Sequence, residues 1–75
     1  MAIANILLVD DEVPFVDTMI KRLTKRNMDV LPAYGGEESL QKLGEHKRVE
    51  VVVLDVKMPG MDGIETLKEI KRRFP

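Results

Sequence analysis

The chain has no cysteine, which rules out a disulfide framework and a thiolate metal site. It has almost no net charge, because 12 basic residues stand against 13 acidic ones and leave -1. That balance carries no electrostatic footprint for nucleic acid or an anionic membrane surface. Its longest apolar runs are far too short to cross a bilayer. No basic segment followed by a long apolar stretch opens the chain, so no secretion signal is read and a cytoplasmic protein is expected. No G-x-G-x-x-G follows the first apolar run, which disfavours a dinucleotide-binding fold. Repeats, low-complexity tracts and linkers are also missing. What is present is an apolar fraction of 44% in 75 residues, enough for one globular domain over 1–75 and too much for a disordered segment. A domain of this size buries only about 60% of its extended surface, so its core is small.

Two short apolar runs end in carboxylates. Asn5-Ile6-Leu7-Leu8-Val9 leads into Asp10-Asp11-Glu12, and Val51-Val52-Val53-Leu54 leads into Asp55. Runs of this kind, bounded by turn residues, read as strands buried on both faces in a parallel sheet. Between them, Val16, Met19, Ile20 and Leu23 recur at helical spacing after Val13-Pro14, and proline suits the first turn of a helix. Lys21, Arg22, Lys25 and Arg26 take the outer side and the last turn, with Asn27 as the C-terminal cap.

Met28 to Tyr34 is a weaker strand. Pro32 cannot donate to a ladder and sends it to an edge. Gly35-Gly36 turns into a short helix over 37–43, closed by Gly44. After the second carboxylate run, Ile64, Leu67, Ile70 and Phe74 form the apolar stripe of a third helix. The order is βαβαβα, an α/β fold with an open parallel sheet and helices on both faces. Right-handed crossovers and the edge position of the second strand lead to strand order 2-1-3. That order makes strands 1 and 3 neighbours, so Asp10, Asp11 and Asp55 converge at the carboxyl rim, where open α/β sheets bind ligands.

Clustered anions are costly unless one protonates or a cation binds. Carboxylate and carbonyl oxygens suit Mg²⁺ or Mn²⁺, and an aspartate can attack phosphorus to give an acyl phosphate. The rim therefore reads as a site for Mg²⁺-dependent phosphorylation of an aspartate. Blander readings stand beside it. Asp11 can serve as an N-cap for the first helix, and Asp62, with Glu65, as a cap for the third. His46 lies in a charged loop and reads as exposed. Lys71-Arg72-Arg73 reads as a helix end matched to its dipole.

The Asp10-Asp11 pair, together with Asp55-Val56-Lys57-Met58-Pro59-Gly60-Met61-Asp62-Gly63, resembles the receiver domain of bacterial two-component response regulators, a CheY-like (flavodoxin-like) fold. Gly36-Glu37-Glu38-Ser39-Leu40 resembles the turn into that family's second helix. The resemblance implies that Asp55 is the phosphoacceptor for a histidine kinase or phosphotransfer protein. It also implies that Asp11 and Asp55 bind Mg²⁺ directly, with the backbone carbonyl of Lys57 as third protein ligand and Asp10 acting through water. By the same resemblance the chain corresponds to the first three of five βα units. The Ser/Thr of the fourth strand, the lysine of the fifth and the output helices are not among its residues.

Such a truncated receiver is expected to have no enzymatic activity of its own. An Asp-dependent phosphohydrolase is disfavoured because Lys57 stands where a general acid would follow the nucleophile. The last strand becomes an open apolar edge, and such an edge recruits another chain. A homodimer joined through 51–55 across a two-fold axis is expected. The alternative to a phosphoacceptor is a self-associating half-domain without switching activity.

Overall fold

A computed structural model of the chain describes residues 3–55 and 63–74. Six elements alternate: β1 (Ala4–Val9), α1 (Val13–Thr24), β2 (Met28–Ala33), α2 (Gly36–Glu45), β3 (Val51–Leu54) and α3 (Gly63–Arg73). The sheet is three-stranded in the order β2-β1-β3, parallel throughout. Ile6 pairs with Val30 on one side and Val51 on the other. The expected architecture, order and edge position of the Pro32 strand are all observed.

β1 is the centre of the core because, among the described strands, it has a strand on each side. Leu7 and Val9 are fully buried and pack with Ala33 and Leu43. Leu31, Val49, Val52, Leu54, Ile70 and Phe74 close around this cluster, so α2 and α3 lie on that face. Side chains alternate along a strand, so Ile6 and Leu8 point to the opposite face, where α1 buries Val16.

The turns follow from local chemistry. The C-cap of α1 is Lys25 and not the expected Asn27, which lies two residues on and adopts φ 62°, a left-handed conformation that asparagine tolerates better than most residues. The Asn27 carbonyl accepts the Ile3 N–H at 2.7 Å, tying the helix exit to the start of β1. At the start of α2, Glu38 reaches back to the Tyr34 N–H at 2.9 Å, and the buried Ser39 hydroxyl donates to the Gly36 carbonyl.

Three further expectations need correction. Gly44 does not close α2, which runs to Glu45 and is capped by His46. β3 is buried on one face only: Val52 and Leu54 meet the core, while Val51 and Val53 are 49% and 46% exposed. Among the described residues β3 pairs only with β1. The stripe of α3 is also displaced. Gly63 and Thr66 are buried and Ile70 and Phe74 pack inward, but Ile64 and Leu67 are 58% and 45% exposed. The buried stripe of α3 thus begins with small residues, and two large apolar side chains are left outside.

At the end of α3, Glu69 accepts from Arg72 Nη2 at 2.8 Å and lies 3.0 Å from Arg73 Nε. The hydrogen bond from Arg72, helped by its charge and that of Arg73, holds the Glu69 carboxyl below the usual glutamate range. A lowered folded-state value means that this contribution is present at neutral pH and is lost as pH falls through that value. An NMR titration of the Glu69 carboxyl should show the depression, and Arg72→Ala should move it back upward. In the core, Leu7→Ala should destabilise the fold by about 2–5 kcal/mol. That is a large part of the roughly 4–11 kcal/mol available to a chain of this length. Replacing the exposed Ile3 by alanine should change stability by less than about 0.5 kcal/mol. Urea denaturation of both variants checks the contrast.

Candidate functional site

The carboxyl ends of β1 and β3 are adjacent because the two strands pair in register, with Val9 opposite Leu54. The next residue on each strand is an aspartate. The Asp10 N–H donates to the Ala33 carbonyl at 3.0 Å, and the Asp55 N–H donates to the Val9 carbonyl at 2.9 Å. Both backbones are therefore held by the sheet at the point where their side chains leave it. The carboxylates of Asp10, Asp11 and Asp55 each offer an oxygen, and these oxygens lie within 4.8 Å of one another. Asp10 and Asp55 are half-buried and Asp11 is exposed.

The turn after β1 is built by the site's own residues. Asp10 Oδ1 accepts the Glu12 N–H at 2.9 Å, an Asx-type turn that fixes the carboxylate. Glu12 is the N-cap of α1, and its carbonyl accepts the first helical N–H, from Val16. This removes the reading of Asp11 as the helix cap, since Asp11 lies one residue before it. Glu12 stays outside the group of converging carboxylates, although the sequence counts it with Asp10 and Asp11. A turn bonded from residue 10 to residue 12 rotates it away, and no sequence signal marks that.

Three charges at such spacing repel. A pair 4.8 Å apart costs about 1 kcal/mol in water and roughly 3–4 kcal/mol at an effective dielectric constant of 20. All-oxygen donors of high charge density, open to solvent on the Asp11 side, are what a hard divalent cation takes. The donor set thus fits Mg²⁺. Of the remaining expected site groups, the Lys57 carbonyl and the Asp62 cap lie outside the described residues. His46 is exposed in the α2–β3 loop, at the opposite end of the sheet.

Known proteins are similar to this chain over most of its length. The family model described as response regulator receiver domain matches residues 6–75. A transcriptional regulatory protein, the CpxR homolog of Haemophilus influenzae, is 44% identical over 69 residues, which are 92% of this chain and 30% of that protein. The N-terminal domain of a response regulator receiver protein from Methanoculleus marisnigri superposes with a TM-score of 0.88 at 37% identity, covering 93% of this chain and 56% of that one. The response regulator TrrA of Thermotoga maritima, solved in complex with Mg(2+)-BeF, superposes with a TM-score of 0.87 at 32% identity, covering 96% and 62%. The chain spans under a third of the curated relative and somewhat over half of these solved receivers. With its three-strand order, its aspartate rim and a family match over nearly its whole length, the protein belongs to the response regulator receiver domains of two-component signalling.

Proposed function

We propose that Asp55 is a phosphoacceptor, with Mg²⁺ as cofactor and a histidine kinase or phosphotransfer protein as donor, in the cytoplasm. The observation that carries this reading is the convergence of Asp10, Asp11 and Asp55 within 4.8 Å at the carboxyl rim of β1 and β3. Asp55 is the half-buried member at the end of β3, with its backbone N–H anchored on Val9. Its carboxylate oxygen attacks phosphorus, an acyl phosphate bond forms, and the bond from phosphorus to the donor breaks, leaving the electron pair on the donor. Asp10 and Asp11 do not accept phosphate in this scheme. They would hold the cation together with Asp55, Asp11 as a ligand and Asp10 in a supporting role, and the Asp10–Glu12 turn keeps that pair in place. When bound, the ion supplies neutralisation of the phosphoryl oxygens.

TrrA, solved with Mg(2+)-BeF at 32% identity, supports the cofactor assignment. The chain's role is that of a covalently modified signalling module and not of an enzyme with its own turnover. The second reading, a self-associating half-domain with no switching activity, is favoured by the exposure of Val51 and Val53 on β3.

Intact-mass spectrometry after incubation with acetyl phosphate and Mg²⁺ separates the two. One added phosphoryl group is expected, absent in Asp55→Asn and absent when Mg²⁺ is chelated. No addition to the unaltered chain would refute the phosphoacceptor reading for this chain and leave the assembly reading. In an NMR titration, Mg²⁺ should shift the amides of Asp10, Asp11 and Asp55, and Asp11→Asn should weaken binding by at least tenfold.

A further inference from the structure

The aspartate rim lies at the carboxyl ends of the strands. A cavity of about 450 Å³ opens at the other end of the sheet, where β1 and β2 begin and the α2–β3 loop passes. Small-molecule sites have volumes of roughly 300–1,000 Å³ and combine an apolar lining with a few polar groups. Ile6, Val30, Leu31 and Val49 give this cavity its apolar lining, with Ile6 buried and the other three half-buried. Asp29 and Arg48 stand exposed at its mouth. None of the described residues that line it belongs to β3 or α3.

The two charges at this cavity are opposite, yet they do not meet. The ion pairs among the described residues join Glu38 to Lys42 and Glu69 to Arg72 and Arg73. Asp29 and Arg48 take part in none of them. Glu50, two residues from Arg48, is already held by Asn5, whose backbone N–H and Nδ2 donate to it at 3.1 and 3.3 Å. The backbone on both sides is fixed. Asp29 stands opposite Asn5 in the β1–β2 ladder. The Glu50 N–H donates to the Asn5 carbonyl at 2.8 Å, which ties the end of the Arg48 loop to the start of β1. A carboxylate and a guanidinium are thus held apart beside an apolar lining.

Such a cavity complements a molecule with the reverse pair of charges and an apolar body. We propose that it binds a free α-amino acid with an apolar side chain. The planar fork of Arg48 takes the ligand carboxylate in a bidentate pair. The Asp29 carboxylate accepts from the ligand ammonium group. The ligand side chain covers Ile6, Val30, Leu31 and Val49 and removes their apolar surface from water. A ligand with negative charge alone, such as phosphate, meets Arg48 but is repelled by Asp29, and a simple cation meets the converse. The site stands apart from Asp10, Asp11 and Asp55, at the opposite end of the strands, so it needs no Mg²⁺.

The test is an NMR titration of the chain with L-leucine as the probe. Saturable shifts are expected at the amides of Val30, Leu31, Arg48 and Val49, equal with and without Mg²⁺, while those of Asp10 and Asp11 stay in place. Arg48→Gln and Asp29→Asn should each weaken binding by about tenfold or more, the loss of one hydrogen-bonded charge pair. Asp17→Asn, exposed on α1 and outside the cavity, should leave it unchanged. Circular dichroism checks that each variant is folded. Three analogues need no variant at all: L-leucinamide lacks the carboxylate, isocaproate lacks the ammonium group and glycine lacks the apolar side chain. Each should bind the unaltered chain about tenfold or more weakly than L-leucine. No saturable shift at about 20 mM L-leucine, an analogue that binds as tightly, or indifference to both Arg48→Gln and Asp29→Asn would each overturn the proposal.

Discussion

β1 lies between β2 and β3, and each other element takes its place from that pairing. Parallel ladders on both sides fix the height of Val9 against Ala33 and Leu54. This also fixes where the strands end, and with it the level of the rim. Parallel strands need crossover connections, which α1 and α2 provide. The helices in turn bury the two faces of β1, with Ile6 and Leu8 on one side and Leu7 and Val9 on the other. Fold stability and site geometry thus share one cause.

The rim shows the same economy. Asp10 and Asp55 each make a backbone hydrogen bond that extends the ladder by one step, so their side chains leave the sheet from a rigid base. Their mutual repulsion is unfavourable for folding, and the burial of the strands behind them offsets it. A bound cation would remove that repulsion where it is greatest. Such binding would couple occupancy of the site to the stability of the β1–β3 pair by simple linkage.

β3 carries two roles that pull against each other. Its inner face must be apolar to close the core over Val52 and Leu54, and its end must hold Asp55. With Val51 and Val53 half-exposed, the strand is only partly covered by β1 and the helices. The same apolar composition that builds the site leaves an edge able to take another strand.

Much of this could be read from the residues. Apolar runs ending in aspartate, separated by helical periodicities, specify alternating strands and helices. Pro32 excludes β2 from the centre because it has no N–H to give. From these follow the parallel sheet, its order and the meeting of Asp10, Asp11 and Asp55. Periodicity could not say which apolar residues would be covered, because burial depends on what lies beside them. Val51 and Val53 look like core residues and lie half-exposed, and Ile64 and Leu67 fit a helical stripe yet face outward while the smaller Thr66 is buried. Nor could spacing separate Asp11 from Glu12 as the helix cap. In the structure the first helical N–H, from Val16, bonds to the Glu12 carbonyl, while the Glu12 N–H bonds back to Asp10 Oδ1. Local pattern determines the elements and their sequence. The packing angles and neighbours of each element, which depend on residues distant in the chain, decide which side chains are hidden and which remain available.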